Sequence, residues 1–388
     1  MKYFTLRLGL IKGLTRGLTV ALIAASLCFG IAAAATAASL KGLMYIGTLD
    51  RKLLIINENS GDIVGEISLG GIPRTTVLSA DKTKLHVVTT QMQVETVDLA
   101  ARQVISSFPL SDGKSNPRMT RGAGGRGFSG IAVDPAGRYL YATISLAVKE
   151  LDQFRIDPPQ FVQIDLQEKK IGKSIPFPPG YDQGFGFAAT YKISPDGKLL
   201  YVFDDDIVVF ELATLKEVDR IPLGTPEYPG ASPYRLAAND DPNDDPGKVT
   251  TVFTSVDPIV HRETLGLGVI DLNTHKVDFR PLGPAFPMIG FLLTPDRKLG
   301  YSLMINHTLG NRDAEFWVWD VPNHTVIKRV PVPARATFRL GMSSDGKKLY
   351  LYAAGSTIEF FDAQTLQSTK LLYLKKDTTT NLIVLAGT

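Results

Sequence analysis

The chain has 388 residues, of which 44% are hydrophobic, and 42 basic against 39 acidic residues give it a formal net charge of +3. Such a near-neutral balance argues against nucleic-acid binding, which requires a concentrated basic surface to displace counterions. A chain of this length can bury a large core, and its single cysteine, Cys28, cannot form an intramolecular disulfide.

The first predicted element is a secretory signal peptide at residues 1–37. Four basic residues precede an apolar run, and the small-residue stretch AAAATAAS follows at 32–39. This order is typical of a signal peptide, and we expect cleavage after Ala37 or Ala38, with an uncleaved anchor as the alternative. Because residues 1–37 contain no acid, their removal changes the formal charge from +3 to −1. The mature chain, 38–388, has no apolar run of the ~20 residues needed to span a bilayer, and we expect it in the periplasm.

One hairpin pattern recurs seven times along the rest of the chain. In each copy a β-rich run ends at an acid or amide, a few turn-forming residues follow, and a second strand-like run begins. The side chain at the end of the first run can accept hydrogen bonds from the turn amides. These positions are Asn57, Asp98, Asp165, Glu211, Asp271, Asp320 and Asp362.

A second pattern lies upstream of six of these hairpins. It consists of an apolar strand, a turn of the S/T/D-P-D-G-K type and another strand, as in TYKISPDGKLLYVFD at 190–204. Pro and Gly suit the dihedral angles of such turns. One repeat is therefore predicted to contain four strands in about 50 residues, the length of known propeller repeats.

The two ends of the chain supply the missing strands of the seventh repeat. GLMYIGT at 42–48 is interpreted as the second strand of a repeat that lacks its first, and NLIVLAG at 381–387 as a lone apolar strand. If both join one sheet, seven four-stranded antiparallel units result. This pattern predicts an all-β, seven-bladed β-propeller closed by the two ends, because a linear solenoid would leave these strands unpaired.

The connections between blades are rich in arginine, aromatic residues and glycine, and in a propeller they gather on one face around the central channel. Arginine and aromatic side chains are enriched among interface anchors. We therefore predict an interaction face at the channel mouth, with the alternative that several aromatic residues plug the channel. The candidates are Arg74, Arg121, Arg126, Phe128, Phe185, Phe187, Tyr234, Arg235, Phe286, Phe338 and Arg339.

Patterns that would indicate catalysis or metal binding are weak. The chain contains no HExxH, no G-x-S-x-G and no cysteine nucleophile in its mature part. His275 and His324 fall in hairpin turns predicted to be solvated, and His86 is interpreted as a packed core residue. His261 and His307 lie in excursions from the blades, where they could serve a site. We predict no metal site and no catalytic residue in this chain.

The repeats resemble those of YVTN-type and quinoprotein-like propellers. Three stretches are similar to the β subunit of quinohemoprotein amine dehydrogenase, a periplasmic seven-bladed propeller. They are KLLIINENSGDIVGEISLG at 52–70, ELDQFRIDPPQFVQIDLQ at 150–167 and VIKRVPVPARATFRLGMSSDGKKLYL at 326–351. Much of this similarity consists of residues common to many propellers.

The resemblance implies a non-catalytic subunit that scaffolds a small subunit with a cysteine tryptophylquinone and a diheme cytochrome c subunit. The chain would itself carry no cofactor, since the mature part has no cysteine for a Cys–Trp crosslink or for heme c attachment. No residue matches a catalytic motif of that family. The alternatives are a stand-alone periplasmic propeller that binds a ligand or protein and, third, a lactonase-like hydrolase using His261 and His307.

Overall fold

The structure is a computed structural model in which strands and tight turns account for the regular elements. It describes residues 42–111, 115–119, 131–177, 190–203, 206–223, 235–236, 245, 247–256, 259, 261–308, 311–333, 338–353 and 355–385. Within these residues, no helix is long and apolar enough to cross a membrane. The described residues contain thirty strands, which form seven antiparallel sheets that we call blades 1 to 7 in chain order.

Blades 1 to 3 are built as follows. Blade 1 contains β1 (Leu43–Thr48), β2 (Lys52–Asn57), β3 (Ile63–Ser68) and the last strand, β30 (Ile383–Val384). Blade 2 contains β4 (Pro73–Leu78), β5 (Lys84–Thr89), β6 (Gln93–Asp98) and β7 (Gln103–Pro109). Blade 3 contains β8 (Ser115–Met119), β9 (Ala132–Val133), β10 (Tyr139–Lys149), β11 (Phe154–Ile156), β12 (Gln160–Asp165) and β13 (Lys170–Pro176).

Blades 4 to 7 each contain four consecutive strands. Blade 4 is β14 (Thr190–Ile193), β15 (Leu199–Phe203), β16 (Ile207–Glu211) and β17 (Lys216–Ile221). Blade 5 is β18 (Arg235–Leu236), β19 (Lys248–Val256), β20 (Glu263–Asp271) and β21 (Val277–Pro284). Blade 6 is β22 (Met288–Leu293), β23 (Leu299–Thr308), β24 (Asn311–Asp320) and β25 (Thr325–Val332). Blade 7 is β26 (Arg339–Met342), β27 (Lys348–Tyr352), β28 (Thr357–Asp362) and β29 (Ser368–Tyr373).

The two ends of the chain close the ring as predicted. Met44 of β1 is the ladder partner of Val384 of β30, and Thr379 N donates to the Gly47 carbonyl at 2.8 Å. Gly47 N in turn donates to Thr380 Oγ1 at 2.9 Å. Blade 1 thus takes its first strand from the C-terminal end and its other three from the N-terminal end, which leaves no edge of β1 exposed.

The predicted hairpin turns are confirmed by their hydrogen bonds. The side chain that ends the third strand of a blade accepts from backbone amides of the turn, as Asp98 Oδ1 does from Ala101 N at 2.8 Å. The fourth residue after it has a positive φ in every blade. That residue is Gly61, Arg102, Lys169, Leu215, His275, His324 or Leu366. The turn chemistry, rather than a glycine at this position, therefore sets the hairpin geometry.

Apolar side chains fill the spaces between neighbouring blades. Phe161 of blade 3 is fully buried, and its ring stacks on Phe210 of blade 4 with the ring centroids 5.5 Å apart. Met44 of blade 1 belongs to the cluster that also contains Tyr350 of blade 7. Because both faces of a blade are covered, the middle strands are near-continuous apolar runs such as LLII at 53–56.

Blade 3 departs from the predicted four-stranded pattern. Its strand β10 has 11 residues, and beyond the blade it pairs with β8 on one edge and with β11 on the other. Residues 115–119, which the sequence analysis placed in a connecting loop, therefore form a strand. The added strands have a physical reason, because a long strand that extends past its sheet must satisfy the backbone groups of both edges.

Candidate interaction face

The described connections between blades and the described turns between second and third strands lie on the same side of the ring, which we call the upper face. This follows from the antiparallel order, since the chain returns to the same end after every second strand. Hydrogen bonds confirm it. Thr90 N, in the turn between β5 and β6, donates to the carbonyl of Ile72 in the connection between blades 1 and 2, at 2.9 Å. Ile305 N donates likewise to Pro287 O at 2.9 Å.

Seven of the predicted site residues cannot be located by their side chains. Arg121, Arg126, Phe128, Phe185, Phe187 and Tyr234 lie outside the described residues. Arg235 begins β18, but its side chain also lies outside the described part of the chain. Their placement on the upper face therefore stays a prediction. Arg74, Phe286, Phe338 and Arg339 are described.

Arg74 lies at a β-bulge at the start of β4. Pro73 pairs with Thr89 and Thr75 with Val88, so Arg74 is the extra residue between these two pairs. A bulge turns the inserted side chain away from the regular alternation of the strand. The same bulge recurs in blade 6, where Gly290, with a φ of 66°, takes the equivalent place. The first strands of blades 2 and 6 are thus both bulged near the connection that precedes them.

Phe286 is half-buried and packs against blade 6. Its ring contacts that of Trp317 with the centroids 6.0 Å apart, and the guanidinium of Arg329 lies 3.8 Å from the centre of the same indole. Trp317 also donates from Nε1 to Glu315 Oε2 at 3.0 Å. Trp317 and Trp319 are both buried, so they are packing residues of blade 6. Phe286 therefore covers the upper end of a packed aromatic group.

Phe338 and Arg339 occupy different environments although they are adjacent. Phe338 is 5% exposed and belongs to the apolar cluster between blades 6 and 7, so its side chain supports the face from below. Arg339 begins β26 and is partly exposed, and its Nη1 donates to Asn381 Oδ1 at 3.0 Å. This bond connects blade 7 to the segment that leads into β30, so Arg339 contributes to ring closure.

Three hairpins extend above the blades and were not recognised as parts of the site from the sequence. The strands β19 and β20 stay paired as far as Val256 and Glu263, and β23 and β24 as far as Thr308 and Asn311. The third is the β10–β11 hairpin of blade 3. In blades 1 and 2 the corresponding turns are short. The upper face is therefore asymmetric, with raised hairpins on blades 3, 5 and 6.

The tip of the β10–β11 hairpin exposes large apolar side chains, and we call Leu151, Phe154 and Ile156 the apolar tip. They are 103%, 63% and 66% exposed, respectively. Arg155 beside them is paired with two carboxylates, because its Nε lies 3.5 Å from Glu150 Oε1 and 3.3 Å from Asp157 Oδ1. The unusual length of the excursion at 150–167 was the signal in the sequence that could have pointed to this projection.

The histidines are spread over the molecule. His86 is 2% exposed, as predicted, and its Nδ1 lies 3.1 Å from Thr96 Oγ1; burial lowers its pKa to about 4. His275 is partly exposed and contacts Asp219 Oδ2 at 2.8 Å. The expectation that His324 is solvated was wrong. It is 7% exposed, and burial lowers its pKa.

The two histidines considered for a hydrolytic site lie at the raised hairpins. His261 is exposed at the tip between β19 and β20, and His307 belongs to β23, with its side chain outside the described part. Among the described residues, no group of three or more His, Cys, Asp or Glu side chains could hold a metal ion. The described geometry thus consists of an asymmetric face with anchoring side chains, on a seven-bladed β-propeller.

No family model and no curated protein matches the chain. Solved structures match it at low identity. A functionally unknown protein from Desulfotomaculum acetoxidans DSM 771 matches with a TM-score of 0.54 and 12% identity, covering 89% of this chain and 99% of that one. Hydrazine synthase of Kuenenia stuttgartiensis matches with 0.48 and 16% over 84% and 90%. Dihydro-heme d1 dehydrogenase NirN in complex with DHE matches with 0.49 and 15% over 88% and 75%. At these identities the likeness concerns the fold alone.

Proposed function

We propose that this chain is a non-catalytic propeller subunit of a periplasmic complex similar to quinohemoprotein amine dehydrogenase. In it, the upper face docks a diheme cytochrome c subunit and a small subunit that carries the quinone. The apolar tip is the observation that supports docking most directly. Large apolar side chains that project from a raised hairpin lose unfavourable contact with water when a partner covers them.

The arrangement around the apolar tip also favours a protein partner. Since Arg155 is paired with Glu150 and Asp157, its guanidinium does not meet an approaching surface as an isolated charge. Aromatic anchors at the centre of an interface carry much of its binding free energy. Phe154 has the exposure and the position for such a role. The channel-mouth arginine Arg74 would then lie on the same face as the partner.

Purification of the native complex tests the proposal. We expect a tagged chain to co-purify with a heme-staining polypeptide and a small quinone-staining one in fixed stoichiometry. Phe154→Ser should reduce their recovery at least tenfold without changing the melting temperature, because loss of a buried aromatic anchor costs roughly 1.4 kcal/mol or more. Tyr373→Ser is the matched control, since Tyr373 is 64% exposed but lies on the outer strand β29.

Isolation of a monomer without either partner, from cells in which both candidates are expressed, would contradict the proposal. A peptide or small ligand found at the upper face of that monomer would instead support the stand-alone binding propeller. Equal loss of both partners in the Phe154→Ser and Tyr373→Ser variants would show that the docking face has been assigned incorrectly.

A further inference from the structure

A buried carboxylate lies near the upper end of the junction between blades 1 and 2. Glu95, on β6, has 0% exposure, and its Oε1 accepts a hydrogen bond from Gly70 N at 2.8 Å. Within the described part of the chain, Oε2 is buried and has no hydrogen-bond partner. A carboxylate oxygen that is withdrawn from water without a partner is strongly unfavourable, so this oxygen requires an explanation.

A second buried side-chain oxygen belongs to the neighbouring Gln93. Gln93 precedes Glu95 by two residues on β6, so both side chains lie on the same face of the strand. Its Oε1 is also buried and, among the described residues, without a partner. A Cβ atom added to Gly70 would lie 2.6 Å from Glu95 Oε1 and 2.9 Å from Gln93 Oε1. Both oxygens therefore pack directly against Gly70, and a side chain at position 70 would displace them.

Two neighbouring side-chain oxygens already accept hydrogen bonds from other groups. Thr89 Oγ1 accepts from Gln93 N at 3.2 Å, and Gln91 Oε1 accepts from Thr90 Oγ1 at 3.0 Å. Gly70, which donates to Glu95, is itself exposed, whereas Glu95 is fully buried.

We propose that Glu95 and Gln93, beneath Gly70, bind a monovalent cation, either an alkali-metal ion such as potassium or an ammonium ion. Carboxylate and amide oxygens are the ligands that such hard cations prefer. One carboxylate balances one positive charge, whereas a divalent ion prefers more oxygen ligands and more negative charge than this pair supplies. Burial raises the pKa of Glu95, which means that the bare carboxylate is disfavoured there and that a cation would relieve the imbalance.

Thermal unfolding in different chloride salts tests the site. At equal ionic strength, about 100 mM potassium or ammonium chloride should raise the melting temperature by about 2 °C relative to choline chloride, since a ligand bound to the native state stabilises it. Glu95→Gln, which is isosteric, should abolish this increment. Gly70→Ala should do the same by displacing the Glu95 and Gln93 oxygens, whereas Gly355→Ala should not, because no heavy atom lies within 4 Å of a Cβ placed at Gly355.

Crystals grown with rubidium or ammonium separate the two cations and provide a direct readout. An anomalous peak between Glu95 Oε2 and Gln93 Oε1 in rubidium would support an alkali-metal site, and its displacement by ammonium in competition would measure the preference. Identical melting temperatures in potassium, ammonium and choline, together with a water molecule or a direct Glu95–Gln93 hydrogen bond at this position, would overturn the proposal. The experiment uses the isolated chain, so its outcome is independent of the proposed partners.

Discussion

Glu58 accepts two hydrogen bonds from Ser344 across the seam between blades 1 and 7. Its Oε1 accepts from the backbone nitrogen at 2.5 Å, and its Oε2 accepts from the hydroxyl at 2.7 Å. Oε1 also accepts from the hydroxyl of Tyr350 at 3.3 Å. Glu58 is 4% exposed, so these bonds lie in a poorly solvated place, on the face opposite the apolar tip.

Glu58→Ala should therefore reduce the free energy of unfolding by about 3 kcal/mol, because buried donors on Ser344 and Tyr350 lose their acceptor. Chemical denaturation monitored by tryptophan fluorescence measures the effect. Glu66→Ala is the control on the same blade, since Glu66 pairs with Lys52 and Lys376 on an exposed surface, where ion pairs contribute little, and should cost much less. Similar losses in both variants would contradict a special role for the seam.

Removal of residues 381–388 should open the ring. Without β30, the edge of β1 that pairs through Met44 and Tyr45 is left without its partner strand, and an unpaired strand edge promotes association between chains. We expect a lower melting temperature and soluble oligomers in size-exclusion chromatography. Removal of 386–388 alone keeps β30 and serves as the control. A monomeric 1–380 chain with the full-length melting temperature would refute closure through β30.

Two glycines at equivalent turns provide a matched test of blade-to-blade packing. Gly346 and Gly137 have φ values of 72° and 68°, so alanine should introduce similar backbone strain at both, of about 1 kcal/mol. A Cβ at position 346 would lie 2.5 Å from Pro295 Cδ of the neighbouring blade, whereas none of the surrounding atoms lies within 4 Å at 137. Gly346→Ala should therefore be less stable than Gly137→Ala by about 1–3 kcal/mol. Equal stabilities in denaturation would show that the turns move apart at no cost.

Acidification should destabilise the fold through His86. Burial holds the pKa of His86 at about 4, below the value of about 6.5 in an unfolded chain, so the unfolded state binds more protons between these values. This contribution to stability is fully present above pH 6.5 and is lost as the pH falls toward 4, with a total on the order of 3 kcal/mol. His86→Gln should flatten the pH dependence of the unfolding free energy in this window. A residual slope of the same sign is expected from His324, whose pKa burial also lowers.

The hairpin turns could be predicted from the sequence because the interactions that form them are local. An acid such as Asp362 accepts from the amide of Thr365 three residues later, at 2.7 Å, so a short stretch of chain contains both partners. Ring closure was also predictable, because the first repeat lacks its first strand and the last apolar strand belongs to no repeat. Pairing these two ends completes the seventh unit. Seven blades and the pairing of β1 with β30 are confirmed.

The burial of particular side chains could not be predicted, because it depends on the neighbouring blade. His324 lies in a turn like that of His275, yet a hydrogen bond to the backbone of Leu267 on blade 5 accompanies its burial. Phe338 reads as an exposed loop residue but completes the cluster between blades 6 and 7. The length of the β23–β24 hairpin could not be predicted either, because its outer part has no repeat pattern. Of the candidate site, the interaction face at the channel mouth stays a prediction, and the raised hairpins were not predicted from the sequence.

Blade 1 combines strands from both ends of the chain, which has a consequence for the order in which the fold forms. Its first strand, β30, is made from residues 383–384, and its other three from residues 43–68. Blades 2 to 7 are each built from one continuous stretch of chain, whereas blade 1 requires contacts between residues 333 positions apart, such as Gly47 and Thr380. Because contacts between residues so far apart in the sequence form slowly, closure of blade 1 is the expected last step in the folding of the ring.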